Sequence, residues 1–216
     1  MEETPPAPVK RRGYDICKRL FDLLLGGALF VIAAPLMALL YLLILLCDGS
    51  PVWYRQTRVG QGEKTFILLK FRTMRDGAEQ SHPDRPVART GQSARVTALG
   101  RVLRRLALDE LPQLWNVLRG DMSLVGPRPL PEKDLAQSGW LESATEEERE
   151  RRARWVTERH SVLPGLTGLW QISHNPEHDF NNWINADLAY VKRRSIALDI
   201  RILLLTPGAV IRGRMK

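Results

Sequence analysis

Two acids stand side by side at Asp109-Glu110, with Arg104 ahead of them and Arg128 behind, the latter held between Pro127 and Pro129. Carboxylates can attack electrophilic phosphorus or hold a hard cation, and guanidiniums take phosphate oxygens in a planar two-point grip. Together these four side chains could form a pocket that binds a metal ion and a phosphorylated substrate. Taken alone, the pair also has an ordinary reading, with Asp109 as a helix N-cap and Glu110 as a first-turn acid. The neighbours argue for more. Proline fixes its own φ and restricts the residue before it, so the backbone carrying Arg128 has lost freedom.

The elements that must position these groups are legible from spacing. Leu111, Leu114, Trp115 and Leu118 fall on one helix face, with Gly120 as a stop and Asp121 in the turn. Pro112 is tolerable only in the first turn, which places Asp109 and Glu110 at or beside the N-cap. Upstream, Thr97 suits an N-cap, and Leu99, Val102, Leu103 and Leu106 predict an amphipathic helix with Arg101, Arg104 and Arg105 on its polar face. Gly60 and Gly62 mark a turn, and Thr65 to Phe71 reads as a strand or hairpin arm. Residues 76–95 read as a polar connection. Thr145 and Glu148 have capping-box spacing at the head of a charged surface helix. From Pro164 to Gln171 a turn leads into a short extended run, with Gly165 and Gly168 allowing close backbone approach. His174 and His178 have HxxxH spacing, but Pro176 between them spoils the helix a metal pair would need. Asp187 to Ile211 reads as one helix ending near Pro207-Gly208. Its Leu198, Ile202, Leu203 and Leu205 fit either a membrane surface or a core.

The chain has 216 residues and a net charge of +8, a balance that favours polyanionic partners: nucleic acid, anionic lipid or a phosphate-bearing substrate. Its two cysteines, Cys17 and Cys47, flank an apolar segment, which argues against a structural disulfide and for the cytosolic side of a membrane. From Leu23 to Cys47 no charge occurs for about 25 residues, long enough for a membrane helix. Pro35 lies near its middle, and basic residues stand on both sides: Lys18 and Arg19 before, Arg55, Arg58 and Lys64 after. The positive-inside rule therefore gives no orientation, and a kinked span and a re-entrant helix that returns to the same face fit equally. Asp22 is spaced to pair with Lys18 or Arg19, by itself a surface ion pair of little consequence.

The residues resemble the bacterial sugar transferases known as small monotopic phosphoglycosyl transferases. The resemblance runs from Lys18 to about Thr206. It is carried in order by Lys18-Arg19-x-x-Asp22, Ala34-Pro35, Ser50-Pro51, Gln56-x-Arg58-x-Gly60, Lys70-Phe-Arg-Thr-Met74, Leu108-Asp-Glu-Leu-Pro-Gln113, Asn116-Val-Leu-x-Gly-Asp-Met-Ser123, Gly126-Pro-Arg-Pro129 and Pro164-Gly-x-Thr-Gly168. The resemblance implies transfer of a phosphosugar from a UDP-sugar to a polyprenyl phosphate, usually undecaprenyl phosphate, with release of UMP. It implies two displacements through an aspartyl-phosphosugar on Asp109. Glu110, with Asp109, would hold Mg²⁺. Arg104 and Arg128 would bind phosphate, and Lys70 and Arg72 would lie near substrate.

The implied fold is α/β but mostly helical. A flexible tail (1–17) precedes a re-entrant membrane helix (18–48) broken at Pro35. A small cytoplasmic catalytic domain with amphipathic interfacial helices (49–216) follows. Both termini would then lie on the cytoplasmic side of the bacterial inner membrane. Two departures from the family pattern, Leu163 before Pro164-Gly165 and Ser173-His174-Asn175 after Gln171, fall where the sugar or nucleotide is expected. Self-association into a homo-oligomer stays open. A membrane-anchored basic nucleic-acid binder and a non-catalytic scaffold are the alternatives. The former rests on charge alone, without a recognisable binding motif, so nucleic acid is not an expected partner.

Overall fold

The uncharged run lies within one long helix, α1 (Arg12–Asp48, 37 residues), which contains Pro35. The computed structural model describes residues 12–75, 95–132, 145–173 and 180–214. Helix α1 begins ahead of the expected boundary at Lys18, and it is one element on both sides of Pro35. There follow β1 (Trp53–Val59), β2 (Thr65–Phe71), α2 (Ala98–Leu106), α3 (Gln113–Arg119), β3 (Ser123–Val125), α4 (Glu146–Arg159), β4 (Gly165–Thr167), α5 (Leu169–Ile172), α6 (Phe180–Arg193) and α7 (Ile196–Arg214). Among the described residues the strands form two small sheets in a mostly helical fold. β1 and β2 make the expected hairpin, antiparallel from Trp53 opposite Phe71 to Val59 opposite Thr65. β3 and β4 run parallel, Ser123 opposite Gly165 and Val125 opposite Thr167.

Local signals held where the chain could satisfy them locally. The Thr97 side chain accepts from Gly100 N and opens α2. Thr145 and Glu148 form the reciprocal capping box of α4. Two expectations need correction. The single helix expected from Asp187 to Ile211 is two, because Ser195 caps a new one: its Oγ accepts from Leu198 N at 3.2 Å. Pro207 lies inside α7 rather than at its end. Ile202 there is fully buried and Leu198 and Leu203 pack against the same core, while Leu204 is exposed, so core packing governs one face and leaves the other open. The run after Gly168 is also helical (α5), not extended.

The core positions α1 against β2, α3 and β3. Phe21 and Leu25 pack against a cluster of Leu68, Leu114, Val117 and Leu124. Further along, Met37, Leu40 and Ile44 pack with Val52, Phe71 and Leu103. Polar contacts fasten both ends. Arg19 donates to the carbonyls of Val117 (2.7 Å) and Leu118 (2.8 Å), a cation on the C-terminal end of α3. Asp48 accepts from Thr97 Oγ1 at 2.8 Å. The opposite face is apolar along the helix length: Leu24 and Ile32 are each 75% exposed and Leu46 72%. On α2, Leu103 is buried but Val102 and Leu106 are exposed, so its apolar residues also divide between core and surface.

Asp22 is not a surface residue. It is fully buried, 3.0 Å from Lys18 Nζ, and its Oδ1 accepts from Leu124 N at 3.1 Å. Lys18 also reaches Asp199 of α7 at 3.2 Å. Tyr190 Oη lies 2.9 Å from both Asp199 Oδ1 and Val125 O. Burial raises the Asp199 carboxyl above its ordinary range, against the opposing pull of the Lys18 charge and of the Tyr190 and Tyr14 hydroxyls. The spacing alone gave Lys18–Asp22; only the fold supplies Leu124, Tyr190 and Asp199. Asn116, fully buried, ties α3 to β2 in a similar way: Oδ1 accepts from Leu69 N (3.1 Å) and Nδ2 donates to Ile67 O (2.7 Å).

Candidate active site

The acid pair lies in the bend between α2 and α3. Ala107 ends α2 in the left-handed region (φ 59°), and Leu108–Glu110 forms a 3₁₀ turn. Pro112, not either acid, is the N-cap of α3. The acids therefore precede the helix rather than cap it. The 3₁₀ turn occupies Leu108–Glu110, and α3 starts only after Pro112, whose missing N–H suits a helix start. Asp109 is buried and Glu110 partly so, with Glu110 Oε1 3.0 Å from Lys70 Nζ of β2.

Glu110 faces an open, shallow cleft whose polar lining includes Arg58, Lys70, Gln113 and Arg128, with Trp170 also on its wall. The Arg128 guanidinium stacks 4.7 Å from the Trp170 ring centre. Three cations around one carboxylate leave the cleft with excess positive charge, which is chemically suited to attracting a polyanion. Of the residues expected from sequence, the fold brings Glu110, Lys70 and Arg128 to one cleft, with Asp109 next to Glu110 in the same turn. Arg104 lies on α2, its Nε donating to Thr73 Oγ1 at 2.7 Å. Arg72 is buried and holds the end of α1, where its Nη2 donates to the carbonyls of Asp48 and Gly49, both at 2.6 Å. Arg58, Gln113 and Trp170 had no role predicted from sequence. Arg58 and Gln113 lie inside matching stretches, and Trp170 follows Gly168 closely, so position beside a motif was the available signal.

The Arg128 segment is fixed through its backbone. The carbonyls of four successive residues each accept a bond from a different group. Gly165 N donates to Pro127 (2.8 Å), Arg159 to Arg128, Arg58 to Pro129 (3.1 Å) and Val59 N to Leu130 (3.1 Å). Glycine is required where β4 meets this segment: a Cβ on Gly165 would lie 2.0 Å from Gly126 N, inside any contact distance. That is the close approach expected of Gly165.

Among the described residues no group of three or more His, Cys, Asp or Glu could hold a metal by itself. Asp109 and Glu110 supply the oxygen donors that Mg²⁺ takes beside nucleotides, where one or two carboxylates and the substrate's phosphates share the ion; Glu110 Oε1 is paired here with Lys70 Nζ at 3.0 Å. The His174–His178 pair lies outside the described residues.

His160, beside Arg159, is buried and its Nδ1 has no hydrogen-bond partner among the described residues. Burial, then the neighbouring Arg159 charge, lowers its pKa from 6.5 to about 4. The unfolded chain thus takes up a proton that the folded chain refuses, and stability should fall as pH drops from 6.5 toward about 4. Thermal melts across that window check this, with His160→Gln expected to flatten that part of the slope.

Comparison with known proteins follows the same lines. The family model described as bacterial sugar transferase matches residues 13–213. An undecaprenyl-phosphate glucose phosphotransferase of Komagataeibacter xylinus is 41% identical over 88% of this chain and 35% of its own length. An undecaprenyl-phosphate galactose phosphotransferase of Salmonella typhimurium is 36% identical over 94% of this chain and 42% of its own. The exopolysaccharide production protein ExoY of Sinorhizobium fredii is 36% identical over 92% of this chain and 87% of its own. The chain thus spans less than half of the first two relatives and most of the third. With a match over nearly its whole length, the chain belongs to the bacterial sugar transferase family.

Proposed function

We propose that this protein transfers a sugar 1-phosphate from a UDP-sugar to a polyprenyl phosphate, undecaprenyl phosphate in bacteria, and releases UMP. The observation that carries the reading is the acid pair beside a cleft lined by Arg58, Lys70 and Arg128 in a chain of this family. The similar proteins named for undecaprenyl-phosphate glucose and galactose phosphotransfer support it.

In this mechanism an Asp109 carboxylate oxygen attacks the sugar-bearing phosphorus. The bond from that phosphorus to the bridging oxygen breaks, the electron pair leaves with UMP, and an acyl phosphate joins Asp109 to the sugar. An oxygen of the polyprenyl phosphate then attacks the same phosphorus. The acyl-phosphate bond breaks and returns the carboxylate, leaving a diphosphate-linked sugar on the lipid. Splitting one displacement into two is covalent catalysis. Arg128, with Lys70 and Arg58 beside it, offsets the charge that would keep an anionic nucleophile from a pyrophosphate. Mg²⁺, when bound by Glu110 and Asp109, would supply further charge neutralisation at the phosphates. The assay is UMP release from a UDP-sugar in the presence of undecaprenyl phosphate. Turnover that stops with EDTA and returns with Mg²⁺ is expected. No UMP from any UDP-sugar sinks the reading.

The same proposal makes α1 re-entrant. Thirty-seven residues of straight helix measure about 55 Å, well beyond the roughly 30 Å of a bilayer's hydrocarbon core. Yet α1 is fastened to one domain near both ends, by Lys18 and Arg19 and again by Asp48. A full span would carry one of those ends away to the other side. Pro35 removes the backbone donor for the Val31 carbonyl and eases a bend there. The exposed apolar stripe then faces lipid, and both termini stay cytoplasmic at the inner membrane. Tags at Met1 and Lys216 should both resist periplasmic labelling; labelling of just one end contradicts re-entry.

A further inference from the structure

We propose that Arg159, held by Asp187 and Trp155, is a positioning residue that fixes Arg128 for its work on the phosphate. The inference rests on the phosphate role proposed for Arg128.

Three observations lead to it. Pro127 and Pro129 have no backbone N–H, so hydrogen bonds to the backbone here fall mainly on the carbonyls. Its carbonyls are held from β1, α4 and β4, and the one nearest the working side chain, Arg128 O, is taken by an Arg159 Nη2 rather than by a neighbouring backbone amide. Arg159 itself is among the most buried charges described. It is 4% exposed, stacks 4.5 Å from the Trp155 ring centre, and lies 3.6 Å from Asp187 Oδ2. Trp155 is fully buried and donates from Nε1 to that same oxygen at 3.0 Å.

A buried, paired guanidinium is a costly way to satisfy one carbonyl, since taking both charges out of water is barely offset by their attraction. A well-packed apolar side chain would stabilise the fold as well. What the pair adds is direction. A planar guanidinium stacked on an indole and set against a carboxylate has little freedom, so the carbonyl it binds is held in place. With the carbonyl side pinned, the Arg128 side chain leaves toward the cleft and rests on Trp170. Trp155, Asp187 and Arg159 line no part of that cleft, so they act through Arg128 and not on substrate.

The test uses the full chain in lipid nanodiscs and two readouts. Arg159→Met should lower kcat/KM for the UDP-sugar about 10–10²-fold, the cost of misplacing a catalytic group by about an ångström. In an Arg128→Ala background the same change should cost almost nothing further, because the group it positions is gone. Hydrogen exchange gives the second readout. The amides of Val59 and Gly165, which donate to the neighbouring carbonyls, should exchange faster in Arg159→Met, while the amides within the β1–β2 ladder away from Val59 keep their protection. Arg159→Lys keeps the charge against Asp187 but loses the fork. It should loosen the same two amides and serves if the Met variant does not fold. Unchanged exchange at Val59 and Gly165, or effects that multiply in the double variant, overturns the proposal. If Arg128→Ala alone turns over at the wild-type rate, the phosphate role falls, and the exchange result still decides whether Arg159 holds the segment.

Discussion

Asp109→Asn lowers turnover by about 10⁴-fold or more, the scale on which enzymes lose rate when a covalent nucleophile is removed. Asn matches Asp in shape and keeps an acceptor oxygen, so the buried site at the α2–α3 bend should fold as before. Its amide, however, cannot form an acyl phosphate under these conditions. The residual rate would be whatever direct transfer to the lipid phosphate the cations of the cleft still support. Intact-protein mass spectrometry of enzyme mixed with UDP-sugar alone provides the decisive measurement. A sugar-phosphate adduct should map to Asp109 in the wild type and be absent in the variant. Turnover by Asp109→Asn near the wild-type rate would exclude the covalent route.

Arg128→Ala should cost about 10²–10³-fold in kcat/KM, the size of one lost electrostatic donor at developing charge. Thermal stability should move little. The bonds that fix this segment go to its backbone carbonyls, which alanine retains. Arg128→Lys should recover only part of the rate. An ammonium keeps the charge but neither stacks flat on Trp170 nor offers two parallel donors to a phosphate. Steady-state kinetics beside a melting curve separates the two effects: a large fall in Tm with Arg128→Ala would mark the residue as structural and remove it from the mechanism.

Elements whose causes lie within a few residues were legible in the chain. Thr97 and Thr145 opened helices where a cap was expected, Thr65 to Phe71 paired in a hairpin, and Gly165 lay where backbones nearly touch. Each depends on a periodicity, a cap or a missing Cβ, and each of these is written locally in the chain. Motif order likewise identified the family and the stretch that carries Asp109, Glu110 and Arg128.

Which distant groups meet became visible only once the chain was folded. Nothing near Lys18 indicates that Asp199 will share its ammonium, or that Asp22 will be buried on Leu124 N. Arg72 and Lys70 sit two residues apart on one chain segment, yet Lys70 reaches Glu110 and the cleft while Arg72 closes the end of α1. Arg159 read as one more cation on a charged surface helix, until the fold placed it under the Arg128 carbonyl. One cause underlies all three. Side-chain spacing fixes which face a residue occupies on its own element, but the choice of partner depends on how those elements pack. That packing is set by burial summed over the whole core, which no short window of sequence contains.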